Sequence, residues 1–264
     1  MKHLYSCAFV LTVAIVAFLL AVIPLRAEVD LQYGPQLEQL TAKLKLRGFT
    51  EDEINKIFSD DRVELYPPIV EKSGKDLDYF DRKFGLLTKK SIQKGQTLLR
   101  DNWEILAAIE ETFGVEKEVI LGILRVETNF GANTGRYSVF NSLLSMALIE
   151  NRRSSWAEKE LIEFLSTTKG QNKDPLSLKG SWAGAFGICQ FVPTSYAQFA
   201  VDGNGDGTID LFDFHDATAS IANYLKLHGY EKHRPDGNRD AIFAYNHCDN
   251  YVRAILAYAE ALEQ

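Results

Sequence analysis

Two stretches of this 264-residue chain carry side chains whose type and spacing could do chemistry. The first ends at Glu127. Ile120 and Ile123 lie seven and four residues before it, so helical spacing stacks the carboxylate on the side of Ile120, Ile123 and Leu124. A carboxylate set against apolar packing resists ionisation, which suits a general acid. The plainer arrangement leaves Glu127 at a frayed helix end in solvent, or pairs it with Arg125. Glu116 and Glu118 lie off that face and read as ordinary solvated charges.

The second stretch, residues 202–213, reads Asp-Gly-Asn-Gly-Asp-Gly-Thr-Ile-Asp-Leu-Phe-Asp. Asp202, Asn204 and Asp206 occupy positions 1, 3 and 5 of a calcium-type loop. Gly207 supplies the sharp turn, Thr208 a backbone carbonyl and Asp210 the ninth position. Asp213 stands where Glu is usual, one methylene short, and Asp216 is an alternative closing ligand. A metal-free Asp/Gly turn would leave four carboxylates to repel one another. A single loop of this kind suits a structural clip at least as well as a sensor.

No other chemistry is signalled. His215, His228, His233 and His247 lack zinc spacing. The chain shows no nucleophile elbow, no phosphate-binding glycine loop and no sign of an organic cofactor. Cys189 sits in Phe186-Gly187-Ile188-Cys189-Gln190-Phe191, which carries no thiol-hydrolase signature.

The elements that must position these residues are helical. Leu37, Leu40 and Leu44 mark one amphipathic helix, stopped near Gly48. Thr50-Glu51-Asp52-Glu53 is a capping box opening the next. Further helices are expected over 75–84, 88–99, 101–113, 116–127, 138–150, 155–168 and 216–228, the last stopped by Gly229. Residues 170–185 read as loop, and Pro193 as a first helical turn. From Asn238 to Leu262 the pattern gives one long helix, or two joined at 247–249. No strand alternation repeats, so any sheet is small.

Composition agrees with one globular domain: 46% of residues are hydrophobic, and 29 Lys+Arg face 36 Asp+Glu for a net charge of -7. That acidity argues against nucleic acid as a partner. Lys2 followed by the apolar run 7–23 and by Pro24-Leu25-Arg26-Ala27 reads as an export signal cut after Ala27, or as a retained membrane anchor through residues 7–23. Cys7 stands at the start of the run instead of following it, which argues against lipidation. Export leaves Cys189 and Cys248, and an oxidising compartment permits a disulfide between them. Two separate buried thiols fit the sequence equally well.

Taken together, these residues resemble the B-type lytic murein transglycosylases, membrane-bound or soluble. The likeness is carried by Gly122-Ile123-Leu124-Arg125-Val126-Glu127-Thr128-Asn129-Phe130-Gly131 and by the stretch Ser181 to Tyr196. It continues through the aspartate loop within Tyr196–Tyr230 and through Ala244-Tyr245-Asn246-His247 with Tyr251-Val252. It runs from about Leu37 to the C-terminus. The resemblance implies a mainly α, lysozyme-like core with a small inserted EF-hand-like calcium loop at 202–216 and at most a minor β element. Residues 28–264 would form the catalytic domain.

The same resemblance implies that Glu127 is the single acid and base, and that Gln190, Tyr245 and Asn246 line the substrate groove. It implies a structural calcium ion and peptidoglycan glycan strands as the partner. It implies an exported envelope protein, periplasmic, soluble or anchored. The implied reaction cleaves the MurNAc-GlcNAc β-1,4 bond and leaves a 1,6-anhydromuramyl end. A hydrolytic muramidase and a non-catalytic peptidoglycan-binding protein are the alternatives. Ile188-Cys189, Cys248 and Asn129 depart from the family pattern. If the family fold holds, the segments carrying Cys189 and Cys248 approach one another.

Overall fold

The computed structural model describes residues 25–72, 77–232 and 235–264. The apolar run 7–23, and with it the expectation of a signal or anchor, lies outside the described residues. In chain order the elements begin with α1 (Leu25–Leu46), α2 (Glu51–Phe58), α3 (Pro67–Val70), α4 (Lys89–Asp101), α5 (Trp103–Phe113) and α6 (Lys117–Thr128). There follow β1 (Tyr137–Ser138), α7 (Val139–Leu148), α8 (Ser154–Gly170), β2 (Lys179–Gly180) and α9 (Pro193–Phe199). The chain closes with α10 (Phe214–Leu227), α11 (Pro235–Tyr245) and α12 (Asp249–Glu263). The two short strands pair antiparallel, Tyr137 opposite Gly180. The mainly α expectation with a minor β element is met.

Local chemistry sets the helix ends. Gly48 stands at φ +83 just past α1. Thr50 Oγ1 accepts from the Glu53 amide, while the Glu53 carboxylate accepts from the Thr50 amide at 2.7 Å, so the capping box forms. Pro193 opens α9. The helix expected over 75–84 does not form in the part described; residues 77–85 are turns instead. Asp78 accepts from the Phe80 amide and Asp81 from the Lys83 amide, and these side chains compete for the amides a helix would use. The C-terminal stretch is two helices, α11 and α12, and the joint falls at 246–248.

α6 runs through the core. Val119 to Arg125 are all buried, and α6 lies against α12, α4, α5 and α10. The approach to α12 is close because Gly122 has no side chain: a Cβ there would stand 3.1 Å from the Ile255 carbonyl oxygen. α7 and α8 form a second packed pair, burying Phe140, Leu144, Leu161 and Phe164. This packing carries the C-terminal end of α6 to the place where Glu127 leaves the core.

Candidate active site

α6 ends cleanly instead of fraying. Asn129, Phe130 and Gly131 take left-handed φ of 52, 60 and 79 in succession, turning the chain away at once. The Phe130 amide reaches back to the Leu124 carbonyl at 2.9 Å, closing the last turn. Lys94 of α4 donates to the Asn129 carbonyl at 2.9 Å, a cation at the negative end of the helix. Thr128 then ties this end to the facing loop: its hydroxyl donates to the Ile188 carbonyl at 2.7 Å and accepts from the Gly131 amide at 2.8 Å.

Glu127, one residue earlier, projects into an open cleft enclosing about 1540 Å³ including solvent at its mouth. Gln190, Tyr245 and Asn246 line the same cleft, with Trp182, Arg136 and Asn133. All four cleft residues expected from the sequence are therefore brought together. Among the described residues lining the cleft, Glu127 is the only carboxylate. Burial pushes its carboxyl up from the ordinary 4.5 to about 7, and the Tyr251 hydroxyl, donating to Oε1 at 2.8 Å, offsets part of that rise. Arg125 is not its partner. The guanidinium turns the other way, to Ser91 and the Phe84 carbonyl.

Around the acid stands a wall of tyrosines. Tyr251 lies parallel to Tyr245 at 6.3 Å between centroids and meets Tyr79 edge-on at 5.8 Å. Tyr245 donates to the Cys189 carbonyl at 2.6 Å, which fastens α11 to the loop carrying Gln190. Burial holds the phenols of Tyr79, Tyr245 and Tyr251 well above their ordinary value, so all three stay neutral donors at pH 7. Gln190 itself sits at φ 55, a left-handed conformation rare for a residue with a Cβ, and its side-chain Nε2 donates to the Gly187 carbonyl at 2.8 Å and the Thr134 carbonyl at 3.2 Å.

Tyr251 enters the sequence reading only through the motif Tyr251-Val252, without a role, and Tyr79 carries no signal there. Tyr251 shares the apolar face of α12 with Ile255 and Tyr258 and reads as core, which it also is, with 0% exposure. Only the fold shows that its hydroxyl ends at Glu127.

Cys189, buried, and Cys248, half-buried, both stand as free thiols in this structure. Cys189 is fully buried, and burial raises its thiol far above the ordinary range. A buried neutral thiol behaves as a small apolar group.

The aspartate loop lies outside the cleft and is joined to it through the Ile188 amide, which donates to the Leu211 carbonyl at 2.8 Å. Gly187 permits that approach: it stands at φ +78, and a Cβ there would meet the Leu211 Cβ at 2.4 Å. Within the loop Asp202 accepts from the Gly205, Asp206 and Gly207 amides, and Asp206 from the Thr208 amide and hydroxyl. Asn204 accepts from the Asp206 amide, and Asp210 from the Phe212 amide. Asp213 is occupied as the N-cap of α10, accepting from the His215 and Asp216 amides. Asp216, buried at 1% exposure, accepts from Gly203 at 2.8 Å and from Asp210 at 2.7 Å and so clasps the two ends of the loop. Among the described residues no three His, Cys, Asp or Glu side chains are gathered as a metal cluster.

The chain belongs to the transglycosylase SLT domain family, whose model matches residues 32–239. Over 231 residues it is 32% identical to the membrane-bound lytic murein transglycosylase B of Escherichia coli strain K12, a match covering 81% of this chain. The chain spans 62% of that relative's length. Among solved structures, the Escherichia coli lytic transglycosylase SLT35 in complex with calcium superposes with a TM-score of 0.79 at 26% identity, over 87% of this chain and 93% of that one. The soluble lytic transglycosylase SltB1 of Pseudomonas aeruginosa does so with a TM-score of 0.79 at 26% identity, over 86% and 98%.

Proposed function

We propose that this protein is a lytic transglycosylase that cleaves the MurNAc-GlcNAc β-1,4 bond of peptidoglycan glycan strands by intramolecular transfer, with Glu127 as acid and then base. One observation carries the reading: a single carboxylate, raised to about 7, stands alone among the described residues that line the cleft. A group of that kind is protonated for a large fraction of molecules near neutrality and ionises at small cost, as an acid that must later act as base requires. Protonated Glu127 donates to the glycosidic oxygen. A retaining glycosidase would meet the developing charge at C1 with a second carboxylate. Here the substrate's own N-acetyl oxygen takes that place, giving an oxazolinium-like intermediate. Ionised Glu127 then removes the proton of the C6 hydroxyl, which attacks C1 and leaves a 1,6-anhydromuramyl end. Gln190, Tyr245 and Asn246 contact the glycan, and no organic cofactor is needed.

The mass of the products tests this directly. Anhydro ends support the transfer. Reducing ends, heavier by one water, would make the protein a hydrolytic muramidase, and intact strands a peptidoglycan-binding envelope protein.

The 202–216 loop fits calcium by the chemistry of its donors, all of them hard oxygens, and by amide bonds that preshape its first half. Asp202, Asn204, Asp206, the Thr208 carbonyl and Asp210 would hold the ion. Asp213, which caps α10 through one oxygen and keeps the other for the ion, would close the shell, while Asp216 clasps the two ends of the loop through both of its oxygens. The ion would supply charge balance to the loop and take no part in bond cleavage.

Residues 28–264 act as the catalytic domain, exported to the cell envelope, in the periplasm, behind the segment 1–27. The name of the Escherichia coli relative supports an envelope location. Among the described residues no helix is long and apolar enough to cross a membrane, and attachment would rest on residues 7–23.

A further inference from the structure

Arg125 is 7% exposed, and among the described residues it makes no salt bridge. Burying a guanidinium without a carboxylate is costly, and an apolar side chain of similar length would fill the space more favourably. Its position therefore calls for something an apolar residue cannot do. Nε donates to the Ser91 hydroxyl at 2.7 Å, Nη2 donates to the Phe84 carbonyl at 2.9 Å, and the guanidinium lies 5.1 Å from the centre of the Phe84 ring. Phe84 meets Tyr79 edge-on at 5.4 Å, Tyr79 meets Tyr251 at 5.8 Å, and the Tyr251 hydroxyl bonds Glu127. The chain of contacts thus leaves α6 at Arg125 and returns to it two residues later.

The segment it passes through, 77–88, has no regular secondary structure of its own. One end is held by Asn250 of α12, whose side chain donates to the Leu77 carbonyl at 2.8 Å. Arg125 grips the other end. We propose that Arg125 is a positioning residue: by holding Phe84 and Ser91 it keeps Tyr79 seated on Tyr251 and so keeps water off the flank of Glu127. This rests on the reading of Glu127 as the acid. The groups facing Glu127 are Tyr79 from this segment, Tyr251 from α12, Tyr245 from α11 and Cys189 from the facing loop, with Arg136 on the cleft lining. Burial keeps the three phenols and the thiol neutral at pH 7, so admitted water is what would ease ionisation of the carboxyl.

The test is Arg125→Met, with Arg125→Lys as the conservative variant and Phe84→Leu as a second route that leaves the arginine in place. Each is checked for native folding, assayed on murein strands across pH, and titrated at the Glu127 carboxyl by carbon NMR. In Arg125→Met the carboxyl is expected to titrate about one pH unit or more lower. The alkaline limb of kcat should follow it, with kcat down about fivefold at pH 7 and about tenfold well above it, and KM within about twofold. Lysine should restore part of the shift, and Phe84→Leu should reproduce it. A folded Arg125→Met with an unmoved carboxyl titration overturns the proposal. If that variant fails to fold, an unmoved titration in Phe84→Leu overturns it equally. Wild-type protein that cleaves no murein, with the titrations moving as described, would defeat the proposed function and leave the positioning role standing.

Discussion

Replacing Glu127 by Gln should make the protein more stable above neutral pH while removing its activity. The carboxyl binds its proton more tightly in the folded chain, at about 7, than at the ordinary 4.5 of an unfolded one. Between those values the folded state holds more protons than the unfolded state, so stability falls as pH climbs from about 4.5 to about 7 and levels off above. At about 1.4 kcal/mol per pH unit, the ionised carboxylate costs the fold up to about 3 kcal/mol at pH 8. Glutamine keeps the shape and still accepts the Tyr251 hydroxyl, yet carries no charge at any pH. At pH 4 the two proteins should melt together. At pH 8 the variant should melt higher, by roughly 6–12 °C at the upper limit for a domain of this size. Thermal melts of both proteins across pH 4–9 give the difference, in which the other titrating groups cancel. Turnover on murein strands should fall by at least about 100-fold. A difference in melting temperature that stays flat from pH 4 to 9 would refute the buried-acid reasoning. Near-normal cleavage by the folded variant would refute the catalytic assignment.

Tyr251→Phe removes the one bond among the described residues that favours ionised Glu127. The alkaline limb of the pH–activity profile should therefore move upward, opposite to Arg125→Met, and a limb unchanged or moved down would count against the 2.8 Å contact. Asp202→Asn with Asp206→Asn should reduce the rise in melting temperature that millimolar calcium gives the wild type by linkage. Calorimetry that detects no calcium binding to the wild type would end the structural-clip proposal. Gly122→Ala places a Cβ 3.1 Å from the Ile255 carbonyl oxygen and should cost about 1–3 kcal/mol in denaturant unfolding as α6 and α12 are pushed apart. An unchanged midpoint would show that the interface yields.

What the sequence determined by itself was local. The 3.6-residue period placed Glu127 on the apolar side of a helix, the capping box opened α2, and the Asp/Gly spacing shaped a loop whose amide bonds form as that spacing implies. Such features depend on residues a few positions apart, so composition and order suffice. The joining of Glu127 with Gln190, Tyr245 and Asn246 was legible only as a family resemblance. The turns over 77–85 were missed because Asp78 and Asp81 divert amides that an apolar pattern assigns to a helix.

The tertiary structure alone decided the rest. It turned Arg125 away from Glu127, assigned Asp213 to the α10 cap and Asp216 to the loop clasp, and ended the Tyr251 hydroxyl on the acid. Each of these contacts is set by how close two distant segments come, and by which polar group is left to satisfy once they meet. A buried donor takes the acceptor that packing brings within reach, and no spacing along the chain encodes that distance.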